Sequence, residues 1–149
     1  MYLSKKGIKD LKKTIAKLEK QIASEQVDLK NLDKGDDHED RLALTEKLSA
    51  IESLRTDLQE KIYIRNHAKL LPRRRDVLKV ALGSIVEMVD QKGRILRYQL
   101  VDSLEANPSD GRISIISPLG RELLGRQIKD FVEWGHGSNT MRAQLLAIQ

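Results

Sequence analysis

The chain has 149 residues, of which 40% are hydrophobic, 33% charged and only 3% aromatic. One Phe, one Trp and three Tyr are too few for a deep aromatic ligand pocket or a base-stacking sheet. The absence of cysteine excludes a disulfide framework, a thiolate zinc site and a cysteine nucleophile. The net charge of +5 is uneven: residues 1–79 hold 19 Lys/Arg against 14 Asp/Glu, whereas residues 80–149 hold 8 of each. No apolar run approaches the roughly 18 residues of a spanning helix. The charged N-terminus does not read as a secretion signal. A soluble, cytoplasmic protein without membrane contact is expected.

The first half predicts an antiparallel helical hairpin. Ile8, Leu11, Ile15, Leu18, Ile22, Leu29 and Leu32 follow a heptad seam interrupted at Glu25. Ser4 is the expected N-cap of that helix. Leu44, Leu48, Ile51, Leu58 and Ile62 form a second seam, interrupted at Arg55. Between them Asp33-Lys34-Gly35-Asp36-Asp37 reads as a turn. Folding back there pairs Leu32 with Leu44, Leu29 with Leu48, Leu18 with Leu58 and Ile15 with Ile62. Glu25 and Arg55 then fall in neighbouring layers, where they either pair or stay solvated.

Pro72 ends the second helix and Arg73-Arg74-Arg75 opens a basic linker over 72–79. The lysines of residues 5–20 lie mostly off the seam and read as a solvated face. From residue 80 the pattern changes to strands: 80–89, 94–101, 112–116, 129–134 and 141–148, in antiparallel order. One short helix is expected after Ser117, with Pro118 at its first position and Gly125 near its end. The whole is an α+β chain, with a coiled-coil hairpin over 1–71, an acidic tip near 33–40, and a mostly β domain over 80–149.

Two blocks resemble the bacterial Gre transcript-cleavage factors. Gly35-Asp36-Asp37-His38-Glu39-Asp40 stands where that family carries Gly-Asp-x-x-Glu-Asn at its hairpin tip. Ser114, Ser117-Pro118-Leu119-Gly120-Arg121 and Leu123-Leu124-Gly125-Arg126 are similar to its Ser…Ser-Pro-small-Arg segment. The opening Tyr2-Leu3-Ser4, Gly7 and Leu11 also match. The resemblance implies an FKBP-like C-terminal domain and a monomer that binds RNA polymerase at the rim of its secondary channel. The coiled coil would enter that channel, reach the 3′ end of backtracked RNA, and stimulate its cleavage without being an enzyme itself. Three departures stand out: Arg41-Leu42-Ala43 replaces an Ala-Glu-Tyr continuation, Asp40 replaces Asn, and Gly135-His136-Gly137 replaces a Pro-Gly-Gly loop. The lost aromatic and the added acid favour an alternative, a channel inhibitor of the same architecture.

Mg²⁺ keeps several waters and is usually held by one or two carboxylates plus phosphates. Asp36 and Glu39 are too few for a tight site, so no metal is expected to stay bound to this chain alone. They suit a Mg²⁺ shared with a partner that holds a first ion, where they would act as the catalytic tip carboxylates. From the residues alone, the acids read more simply as caps of the second helix. The resemblance reverses that preference for Asp36 and Glu39 and leaves Asp37 and Asp40 open. Lys34 and Arg41 flank the acids as candidate RNA-phosphate contacts, and Arg121 and Arg126 are candidate polymerase contacts. Leu119, Leu123 and Leu124 are expected in the core, and His38, His67 and His136 are expected to be inert. A prolyl isomerase with a coiled-coil arm is the enzyme-class rival. Its pocket would have to be built from Tyr98, Phe131 and Trp134 alone.

Overall fold

The computed structural model describes residues 1–32, 38–71 and 78–149, with the side chains of Leu32, His38 and Asp40 outside that description. The chain divides into two units, one formed by Lys5–Ala68 and the other by Met1–Ser4 with Lys69–Gln149.

The first unit is the helical hairpin: α1 spans Lys5–Leu32 and α2 spans His38–His67. At 1.5 Å per residue each helix runs roughly 40 Å. On α1 the expected seam is the inward face: Ile15 and Ile22 are buried, and Ile8, Leu11, Leu18, Glu25 and Leu29 are half-buried. On α2 the seam differs from expectation. Leu54, not position 55, continues it between the buried Ile51 and the half-buried Leu58, while Arg55 and Leu48 are exposed. The inward face of α2 therefore keeps a steady three-four spacing through Leu44, Lys47, Ile51, Leu54 and Leu58, with no polar break at 55. Leu29, Leu44 and Leu48 line one groove between the helices, as the antiparallel register requires.

Glu25 does not meet Arg55. Its carboxylate accepts from the Nζ of Lys47 at 2.6 Å, and the same ammonium lies 3.5 Å from Asp28. Lys47 sits on the seam, where its stem can lie along apolar surface while its head reaches both acids. The bond to Glu25, ahead of the charges of Glu25 and Asp28, holds its pKa above the usual lysine value against a smaller desolvation effect. Arg55 is exposed and, among the described residues, pairs only with Glu52 of its own helix, at 3.9 Å.

The second unit holds a five-stranded sheet in the order β5-β4-β3-β7-β6. Its strands are β3 (Ile85–Asp90), β4 (Ile95–Val101), β5 (Arg112–Ser114), β6 (Phe131–Trp134) and β7 (Met141–Ile148). Alternation buries Val86 and Met88 on β3, Leu100 on β4 and Leu145 on β7 against the short helix α3 (Pro118–Leu123). The sheet is not wholly antiparallel: β5 runs parallel to β4, with Leu100 opposite Ile113. Two 3₁₀ turns, Ser103–Glu105 and Pro108–Asp110, carry the chain back so that β5 starts beside the same end of β4. The strand expected from residue 80 begins only at Ile85. Val80 is core, but Gly83 adopts φ of +91°, which ends any extended run there.

A second, two-stranded sheet was not expected. β1 (Tyr2–Leu3) pairs in parallel with β2 (Lys69–Leu70), so the first four residues belong with the β unit instead of with the 1–71 hairpin. Among the described residues no helix is long and apolar enough to cross a membrane.

The turn between β3 and β4 is held by Asp90, whose side chain is 5% exposed. Its Oδ1 accepts from the amides of Arg94 at 2.8 Å and Lys92 at 2.9 Å, and its Oδ2 accepts from Arg94 Nε at 2.7 Å. The Arg94 amide is the main cause holding this carboxyl below its ordinary value of 3.8, aided by the guanidinium and the Lys92 amide against partial burial. A carboxyl with a depressed folded pKa contributes stability above its unfolded value and loses it as pH falls through the folded one. Asp90→Asn should therefore lower the unfolding midpoint at pH 7 and flatten the loss of stability below about pH 4. Denaturant melts at pH 7 and along an acid series check both halves of this expectation.

Candidate functional site

The acidic tip lies where α1 hands over to α2. Lys34, Asp36 and Asp37 fall outside the described residues. Glu39 is the second residue of α2 and is exposed; Asp40 follows it in the same first turn. A carboxylate at that position also complements the positive end of the helix, so the capping and ligating readings both remain physically sound there. Arg41 is exposed one residue further on, and its carbonyl accepts from Thr45 Oγ1 at 3.0 Å.

The described residues include no group of three His, Asp or Glu side chains placed to hold a metal ion. Of the two expected Mg²⁺ ligands, Glu39 lies among the described residues and is exposed. A single outward carboxylate fits an ion whose other ligands come from phosphate, water and a second molecule.

Arg121 and Arg126 belong to the other unit, in and after α3. Ser117 caps this helix: its Oγ accepts from the Gly120 amide at 3.0 Å and donates to the Ser114 carbonyl at 2.6 Å. Arg121 is exposed. Arg126 is engaged locally, its Nε donating to the Glu122 carbonyl at 2.9 Å and its Nη2 to the Glu122 carboxylate at 3.2 Å. Of the three leucines expected in the core, Leu119 and Leu123 are buried, but Leu124 is 40% exposed. Leu124 is the residue at which the helix ends, its ψ of 126° taking the following chain out of the helical path. With Ile116 at 60% and Ile128 at 45%, it leaves apolar surface on both sides of the short helix.

The isomerase rival finds no support in the aromatic placement. Tyr98 and Trp134 pack against the core, while Phe131 is half exposed with the Arg142 guanidinium 4.6 Å above its ring. His67 stacks on Tyr63 of its own helix at 4.1 Å between ring centroids.

Glu105 carries a structural role that sequence reasoning did not assign. It is buried, and its two oxygens accept from the Ser4 amide at 2.7 Å and the Ser4 hydroxyl at 2.6 Å. Asp102 accepts from the Tyr2 amide at 3.0 Å. Together these carboxylates tie the first residues beside β2. Nothing local in the sequence announces it, because the partners are about a hundred residues apart. Glu105→Ala should speed amide exchange at Ser4 and Leu71 by at least about tenfold, the equivalent of one charge-assisted hydrogen bond. Exchange elsewhere in the sheet should stay as it was.

The family profile "Transcription elongation factor, GreA/GreB, C-term" matches residues 76–149. Transcription elongation factor GreA of Zymomonas mobilis is 46% identical over 55 residues, covering 37% of this chain and 35% of that protein. GreA of Sphingopyxis alaskensis is 32% identical over 92 residues, covering 61% and 56%. The chain thus spans between about a third and just over half the length of these relatives. Among solved structures, GreA factor homolog 1 (Gfh1) of Thermus thermophilus matches at a TM-score of 0.46 and 25% identity, covering 100% of this chain and 98% of that one. The matched C-terminal domain and the recurrent GreA relatives lead to one conclusion: the chain belongs to the bacterial GreA/GreB family of transcription elongation factors.

Proposed function

We propose that this elongation factor binds RNA polymerase, inserts its helical hairpin into the secondary channel, and stimulates cleavage of backtracked RNA. The observation that carries the reading is Glu39, an exposed carboxylate at the start of α2 in a chain of this family. Asp36 and Glu39 would hold a Mg²⁺ shared with the polymerase. Such an ion supplies positive charge that acidifies a bound water and stabilises a leaving oxygen. Lys34 and Arg41 would keep the RNA phosphate close to the carboxylates, offsetting repulsion between like charges. Arg121, in the same segment as the exposed apolar Ile116 and Leu124, is the better candidate for the polymerase rim, since Arg126 is engaged by Glu122. The bond-breaking step belongs to the polymerase, so the chain acts as a monomeric cofactor in the cytoplasm and not as an enzyme.

Titrating the purified protein into stalled elongation complexes tests this reading, with RNA length and elongation rate as readouts. Shortened transcripts that resume extension are expected. Slowed elongation without shortening would replace the reading with the inhibitor, which the missing tip aromatic and Asp40 favour.

A further inference from the structure

The β3–β4 turn and the loop before β7 face each other across a cleft of about 440 Å³, within the size range of small-ligand sites. Lys92, Arg94 and Arg142 line it, together with Ser138 and Asn139. Asp90 is the one carboxylate in the lining. It is buried and already accepts from two amides and from Arg94 Nε, so little of its charge is left to the cleft. Arg94 spends only its Nε on Asp90, and Arg142 spends its Nε on Glu133 at 3.3 Å. Each guanidinium carries four further N–H donors, and the Lys92 ammonium makes no ion pair among the described residues. The 3₁₀ turn Gly137–Asn139 supplies a hydroxyl and a carboxamide. The Thr140 hydroxyl, by contrast, is committed to the Gly137 carbonyl at 2.9 Å.

We infer that this cleft binds a phosphate-bearing ligand carrying at least two negative charges, through Lys92, Arg94, Arg142 and the 137–140 turn. Two guanidinium side chains, an ammonium and a hydroxyl lining one space are the donor types that phosphate oxygens take. The inference does not depend on the transcript-cleavage reading, since it concerns only the β unit and a soluble ligand.

The test is a titration of the isotope-labelled full chain, read by amide chemical shifts, with inorganic pyrophosphate in one arm and a short oligouridylate in the other. Saturable shifts at Lys92, Gly93, Asn139 and Met141 are expected from at least one probe. Lys92→Glu should weaken that binding by about tenfold or more, the worth of a charge-assisted hydrogen bond. Arg142→Gln should act in the same direction, with unchanged shifts in β3 and β4 reporting an intact fold. Competition between the probes tells a free polyphosphate from the phosphates of a strand. Shifts absent from both arms, shifts reproduced by chloride at equal ionic strength, or affinities unmoved by Lys92→Glu would each overturn the inference.

Discussion

Replacing Asp36 and Glu39 together with alanine is expected to lower stimulated RNA cleavage in stalled complexes by at least about tenfold, while polymerase binding persists. The magnitude follows from the role: losing even an outer partner of a metal ligand typically costs about 10- to 100-fold, so losing the ligands themselves should cost no less. Binding should survive because the polymerase contacts proposed for Arg121, Ile116 and Leu124 lie in the other unit. Glu39→Ala alone should cost most of the effect, since its carboxylate is exposed at the head of α2. Removing a cap instead would cost only about 1 kcal/mol of helix stability and leave cleavage nearly intact. Cleavage rate measured against hairpin melting therefore separates ligation from capping, and unchanged cleavage in the double variant would falsify the tip assignment.

Gly120→Ala is expected to destabilise the β unit strongly for a single added methyl. Gly120 is buried within α3, and a Cβ there would collide with the Ser114 carbonyl and stand 3.0 Å from Ile115 Cα. Those obstacles are backbone of β5 and the segment after it, which cannot swing aside as a side-chain end can. Alanine would gain up to about 1 kcal/mol of helix propensity. Overpacking against fixed backbone costs about 3 kcal/mol, and the clash wins. At about 4–8 °C per kcal/mol for a domain of this size, the net change lowers the melting temperature by about 10 °C. A melt of the variant within a few degrees of the parent would show that α3 can shift off β5.

The same contact explains why the Ser-Pro-small-Arg block was readable. Ser117, Pro118 and Gly120 are respectively a cap, a helix first position and a close approach, each a local demand that only certain residue types meet. Periodicity likewise located α1 and its buried face, because the seam of a two-helix hairpin is written in consecutive turns of one chain. For the tip, residue types and their order carry the reading: Asp36 and Asp37 lie outside the described residues, and Glu39 alone adds an observed exposure.

What sequence could not settle was every choice between near-equivalent local options that a distant partner decides. Leu54 and Arg55 are adjacent, and both spacings satisfy a heptad; rotation of α2 about its axis selected the leucine and brought Lys47 to Glu25 and Asp28. Leu124 follows the helical pattern of Leu123, yet α3 stops there and the side chain is exposed. β5 reads as one more antiparallel strand until two 3₁₀ turns return it alongside β4. Ser4 reads locally as a helix cap, and nothing local tells that its amide and hydroxyl also donate to Glu105, about a hundred residues away. Composition, seam and motif thus determined the kind of protein, because short-range chemistry suffices for them. Rotation, strand direction and buried charge partners were decided only by the folded chain, where burial is a property of the whole and not of any local segment.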